Sequence, residues 1–221
     1  MLRIEDYIDS LTLKLKASFC ERLVYIGLQG SYLRNEATPE SDIDIMAVID
    51  RLTAEDLAVY REILISVGNY DRSCGFICGK DELKNWNPLE ICHLLHTTKD
   101  CYGTLTELVP SYSEEDERNF IKLCLNNLFH ELCHRYIHSD REYNISRLPM
   151  TCKSVFFIMQ NMHYLNSGNF VKTKQELLKC VQGEDKTVLE LSMSLHSSSD
   201  YDFDRAFGIL FSWCQNSIVK I

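Results

Sequence analysis

The stretch "GSYLRNEATPESDIDIMAV", residues 30–48, decides how the chain is read. It joins a Gly-Ser pair to a polar loop of ten residues and then to two aspartates separated by one isoleucine. In a strand, residues two apart face the same side. Asp42 and Asp44 therefore project together, while Ile43, Ile45 and Ala47 face the opposite side and pack. Paired carboxylates in a half-buried strand repel each other unless a cation compensates them. Mg²⁺ suits that role, because hard divalent ions prefer carboxylate oxygens. Upstream, Gly30 permits close approach of backbone to a ligand. Ser31 offers a hydroxyl where backbone N–H groups can meet a phosphate. Together these parts predict a site for a metal and a triphosphate.

On either side of this stretch the pattern is that of an ordinary globular protein. The chain has 221 residues, enough for one large domain or two small ones, and 45% of them are hydrophobic. The formal net charge of -9 disfavours a phosphate backbone as main partner and favours cationic small molecules. The opening "MLRIEDYIDSLTLKLK" lacks the apolar core of a secretion signal. No run approaches the ~18 apolar residues of a membrane span. With ten cysteines and no CxxC pair, the chain is expected in a reducing cytoplasm with its thiols unbridged. Cys74 and Cys78 form a lone CxxxC, which is a poor zinc signature.

Residues 4–20 carry Ile4, Tyr7, Ile8, Leu11 and Leu15 at helical spacing. "RLVYIGLQGS" reads as a buried strand running into Gly30, and "SDIDIMAVID" as a second strand. Thr53 is a helix N-cap, with Glu55 and Asp56 in the first turn. "SCGFICG" reads as a third strand. "NPLEICHLLHTT" fits strand or helix, and "KDCYG" a short strand or turn. Beyond residues 108–117 the patterns become helical. Ser113 caps a helix running to residue 138, residues 148–168 read as one long helix stopped by Gly168, and three further helices cover residues 172–183, 186–197 and 202–219. The expected architecture is an α/β (α+β) domain with a small mixed sheet, residues 1–109, followed by an all-α helical-bundle domain, residues 110–221.

The combination of a hydrophobic strand, Gly30-Ser31, a polar loop and "SDIDI" resembles the nucleotidyltransferase superfamily of DNA polymerase β. "YLRNEATPESDIDI" looks like the small bacterial members that include the aminoglycoside adenylyltransferases, an antibiotic-resistance type of activity. The resemblance implies transfer of a nucleoside monophosphate from ATP or another NTP to an acceptor hydroxyl, with pyrophosphate leaving. It implies two Mg²⁺ ions held by Asp42 and Asp44, and β/γ-phosphates held at Gly30 and Ser31. The expected acceptor is a small hydroxylated molecule, and the acidic balance suits a cationic, aminoglycoside-like one. Two other readings stand beside it: a protein-AMPylating or antitoxin-type nucleotidyltransferase, and a non-catalytic nucleotide-binding module.

Three further segments bear on the site. The superfamily usually adds a third carboxylate on a later strand, yet "SCGFICG" contains none. Asp71 precedes it and Glu82 follows it. Glu90 is the favoured substitute, because "PLEICHLLH" resembles the strand that carries the base glutamate in aminoglycoside adenylyltransferases. "MHYLNSGNFVKTKQELL" resembles their C-terminal helix-turn-helix, in which a lysine reaches the nucleotide phosphates. Lys174 is the nearer match and Lys172 the other. Finally, "HELCH", residues 130–134, fits the HExxH zinc-protease pattern. On a helical wheel, however, Ile121, Leu125, Leu128 and Leu132 form the buried stripe and His130, His134 and His138 lie broadly opposite it. No third ligand follows at metzincin spacing. The motif is therefore read as part of a polar helix face.

Overall fold

The computed structural model describes residues 2–195 and 200–221. The chain divides into two compact units, Met1–Tyr112 and Ser113–Ile221.

The first unit runs α1 (Ile4–Phe19), β1 (Leu23–Leu28), α2 (Gly30–Leu33), β2 (Ile43–Ile49), α3 (Ala54–Val67), β3 (Ser73–Gly79), α4 (Lys80–Lys84), α5 (Pro88–His96) and β4 (Lys99–Tyr102). The strands form a mixed sheet in the order β3-β2-β1-β4. β1 is antiparallel to both β2 and β4, whereas β2 and β3 are parallel. A parallel pair needs a crossover rather than a hairpin, and α3 supplies it. One sheet face packs Ile26, Leu28, Ile43, Ile45 and Ile49 against Tyr7, Leu11, Leu15 and Ile63 of α1 and α3. Leu11 and Leu15 are fully buried, each worth roughly 1.5–3 kcal/mol of apolar transfer. The other face packs Tyr25, Met46, Val48 and Cys78 against Leu83, Leu105 and Leu108. β2 is thus covered on both sides, and this explains why its sequence is apolar throughout after Asp44.

Thr53 caps α3 as expected, in a reciprocal box with Asp56. Asp56 also receives two hydrogen bonds from Arg22, at 2.8 and 2.6 Å. The guanidinium holds the carboxyl well below the usual range. That contribution to stability is present at neutral pH and is lost only as pH falls through the lowered value.

The ambiguous stretch after Trp86 resolves as a helix, α5, with Asn87 accepting from Leu89 N–H as N-cap and Pro88 in the first turn. The nine-residue run is apolar on too many sides for periodicity to decide, so the caps settle it.

The second unit contains α6 (Glu114–His138), α7 (Arg141–Thr151), α8 (Lys153–Ser167), α9 (Lys174–Cys180), α10 (Gly183–Leu195) and α11 (Phe203–Lys220). Ser113 caps α6 in a box with Asp116, and Gly168 ends α8 at φ 67°. The stripe Ile121, Leu125, Leu128 and Leu132 is buried against α8 and α11 residues such as Phe156 and Trp213. Residues 196–197 of the helix expected over 186–197 lie outside the described residues.

One expectation is corrected. Residues 148–168 are not a single helix: α7 starts earlier, at Arg141, and the chain turns at Cys152 before α8 begins. Pro149 lies inside α7 and has no N–H to offer the carbonyl of Ile145. The Tyr201 hydroxyl donates to that carbonyl instead.

All ten cysteines lie among the described residues, and none forms a disulfide. No helix among the described residues is long and apolar enough to cross a membrane.

Candidate active site

The Gly-Ser turn and the aspartate pair meet at one end of β1 and β2. Gln29 N–H donates to the Asp44 carbonyl at 2.9 Å, closing the strand pair just before the turn. Gly30 follows at φ +68°, a left-handed conformation that side chains disfavour. A Cβ at Gly30 would lie 1.9 Å from Asp44 Oδ2. The turn therefore leaves a cradle that the aspartate carboxylate fills. Ser31 and Asp44 are half-buried and Asp42, just ahead of β2, is exposed.

The loop between them is tied at several points. Glu36 N–H donates to the Ser31 carbonyl at 2.9 Å. Arg34 pairs with Glu36 at 2.9 Å and its charge also acts on Asp44. Arg72, at the start of the chain's approach to β3, donates to the Ser41 carbonyl at 3.0 Å and to the Tyr32 hydroxyl. Arg72 is thus a positioning residue that joins the Gly-Ser turn to the residue before Asp42. Gln29 Nε2 donates to Thr98 Oγ1 at 2.8 Å, which fastens the C-terminal end of α5 to the same turn. Sequence patterning missed Arg34, Arg72 and Thr98. Arg34 lay within the loop, four residues after Gly30, but the tie made by Arg72 spans 40 residues to Tyr32 and has no local signal.

Burial raises the Asp44 carboxyl above its usual range, and the neighbouring Asp42 charge adds to the rise. A contact with Cys74 and the Arg34 charge oppose it. A group with a raised pKa favours the folded state most below its unfolded value, about 3.9. That advantage is lost as pH rises through the raised value. Without divalent ions, Asp44→Asn is accordingly expected to raise Tm near pH 7, on the order of a few degrees. The gap should narrow as pH is lowered towards 5 and on addition of Mg²⁺. Thermal unfolding in chelator at several pH values checks this. A variant less stable than the parent at pH 7 would show that the contacts around Asp44 favour its anion.

On the next strand, the register pairs Asp44 with Cys74, and β3 carries no acid. Cys74 is exposed as a residue, and partial desolvation of its thiol, followed by the Asp44 charge, pushes its pKa up. Glu90 does not occupy a strand as its resemblance implied. It sits exposed in the first turn of α5 and accepts from Trp86 Nε1. The end of α5 fastened to the turn is the opposite one, roughly 10 Å away along the helix at ~1.5 Å per residue. The carboxylate of β4, Asp100, lies opposite Gly27 in register and receives the Tyr25 hydroxyl at 2.6 Å. Among the described residues no three His, Cys, Asp or Glu side chains are grouped to hold a metal ion. Asp42 and Asp44 nevertheless fit a hard cation: both are oxygen donors, and beside the larger effect of burial the Asp42 charge adds to the rise at Asp44, a repulsion that a cation relieves.

Lys174 belongs to the second unit. It opens α9 after a Thr173–Glu176 capping box, is half-buried, and places Nζ 5.9 Å from the centre of the Phe156 ring. Lys172 is exposed in the preceding segment. In the HELCH segment Glu131 pairs with Arg135 at 3.1 Å and accepts from the Thr151 hydroxyl at 3.1 Å. Its carboxylate is thus engaged within α6 and by α7, and is not left free as the base that the zinc-protease pattern requires.

Residues 13–95 match the nucleotidyltransferase domain family model. The first unit therefore carries a nucleotidyltransferase domain, the feature of an enzyme of nucleotidyltransferase type. Among solved structures it is similar to the spectinomycin adenyltransferase AAD(9) from Enterococcus faecialis, determined with ATP and spectinomycin. The TM-score is 0.62 at 14% identity, over 97% of this chain and 99% of that one. This likeness is one of fold, and it spans both the mixed-sheet unit and the helical unit. No curated protein matches the chain in sequence.

Proposed function

We propose that the protein transfers AMP from Mg–ATP to a hydroxyl of a small, cationic, aminoglycoside-like acceptor. The observation that carries this reading is the packing of Gly30 on Asp44, which seats the Gly-Ser turn directly against the second aspartate of the DxD pair. The AAD(9) structure, similar along nearly its whole length, holds ATP and spectinomycin, and the net charge of -9 suits a cationic acceptor. In the reaction, the acceptor oxygen bonds to the α-phosphorus, the bond from that phosphorus to the bridging oxygen breaks, and pyrophosphate leaves with its electron pair. The hydroxyl proton passes to solvent.

Asp42 and Asp44 are assigned to the divalent ions. When bound, these offset charge on the attacking and leaving oxygens. Gly30 and Ser31 are assigned to the β/γ-phosphates, Gly30 by keeping the approach open and Ser31 by its hydroxyl. Lys174 is assigned to the phosphates on the resemblance of its segment alone. Arg72 and Gln29 keep the turn in register with the aspartates, and catalysis rests mainly on this preorganisation.

The test is pyrophosphate release from ATP and Mg²⁺ with a panel of aminoglycosides and spectinomycin. The reading expects release that requires an acceptor, with a nucleotidylated product visible by mass spectrometry. The thiol at position 74 favours one second reading, a nucleotide-binding module. It expects ATP binding with no release under any acceptor.

A further inference from the structure

The three histidines of α6 remain outside the proposed reaction. His130, His134 and His138 stand at i, i+4 and i+8, all exposed, on the face away from the buried stripe. Their rings form a ladder: centroids are 5.8 Å apart between His130 and His134, and 4.8 Å between His134 and His138. All three side chains are exposed, so burial in a core does not account for the row. The acid beside them, Glu131, is engaged by Arg135 of the same helix and by Thr151 of α7.

From this geometry we propose that His134, together with either His130 or His138, chelates a divalent transition-metal ion on the outer face of α6. Two histidines four apart on a helix share a face and can meet one ion between them. Imidazole nitrogen suits Cu²⁺, Ni²⁺ and Zn²⁺, while Mg²⁺ prefers oxygen. Water completes the coordination, so the site is a two-ligand chelate and not a closed structural centre. The ladder gives His134 a special place, because it belongs to both pairs. His130 and His138 are eight residues apart, roughly 12 Å along the axis at ~1.5 Å per residue, too far to grip one ion. The site therefore holds one ion, shared between two arrangements. It stands apart from Asp42 and Asp44 in donor chemistry and does not depend on the proposed transfer reaction.

The experiment is calorimetric titration of the full-length, untagged, chelator-stripped protein with Ni²⁺, repeated with Cu²⁺. The expected order is Cu²⁺ tighter than Ni²⁺, with millimolar Mg²⁺ unable to displace either. His134→Ala should weaken Ni²⁺ binding about 10²-fold, the scale of a lost second attachment. His134→Asn, which keeps a polar side chain, should weaken it equally. His130→Ala and His138→Ala should each stay within about threefold of the parent, because one pair survives in each, whereas the double variant should bind as poorly as His134→Ala. Circular dichroism confirms that the helix is retained. Parent-like binding by His134→Ala, or by the double variant, would overturn the proposal. Binding in every variant equal to the parent would place the ion on other groups, such as the exposed thiols, and would overturn it as well.

Discussion

Asp44→Asn is expected to lower acceptor-dependent pyrophosphate release about 10³-fold, with Asp42→Asn close behind. Loss of one preorganised electrostatic group costs about 10²–10³ in kcat, and here the group also holds an ion. The two substitutions differ in their side effects. Asp44 is half-buried beside Gly30, and neutralising it removes charge from a partly desolvated place. Asp42 is exposed, so its replacement should leave Tm nearly unchanged. The pair of outcomes, a large loss of rate with stability raised in one variant and unaltered in the other, separates a role in chemistry from a role in folding. Steady-state kinetics at saturating ATP, beside thermal unfolding, provides both readings. Release at the parental rate in either variant would show that the aspartates are not the metal-holding groups.

Gly30→Ala should produce the second largest effect, a fall of about 10²-fold in kcat/KM for ATP. Two causes act together. The added Cβ would stand 1.9 Å from Asp44 Oδ2, so the carboxylate must rotate away or the turn must lift. The φ of +68° also penalises any side chain there, by roughly 1–2 kcal/mol. A displacement of about 1 Å at a reacting centre can cost on the order of 10²-fold. The loss should fall on ATP more than on the acceptor, because the turn is assigned to the phosphates. Equal changes in KM for both substrates would indicate a general loosening of the unit instead. Gly68, at φ +94° with open space around it, is the natural control: alanine there incurs the backbone penalty without a collision, and transfer should be retained.

Much of this site could be read from residue order because its parts are local. Period-two alternation aligned the two aspartates, and a glycine before a serine at the end of an apolar strand marked the turn. The helix caps at Thr53 and Ser113 were equally plain, since a capping box lies within four residues. What escaped depended on distant pairing. The neighbour of Asp44 on β3 follows from a parallel register across an intervening helix, and no spacing rule shows that it is Cys74. Glu90 was favoured because its stretch resembles a family strand, while the apolar Leu89, Ile91, Leu94 and Leu95 left strand and helix equally open. The signal that opposed a strand, Asn87-Pro88, was present but short. The turn at Cys152 was hidden for a similar reason: Pro149 falls within a hydrophobic run whose periodicity continues through it.

The hydroxyl that Tyr201 lends to the Ile145 carbonyl ties position 201 to the gap that Pro149 opens. Proline at 149 is tolerable only while some distant donor repairs the gap it opens, and the phenol at 201 has that task only while the proline persists. Either change made first meets a different background from the same change made second. The two sites are thus energetically coupled, and the cost of changing both should differ from the sum of the two single costs.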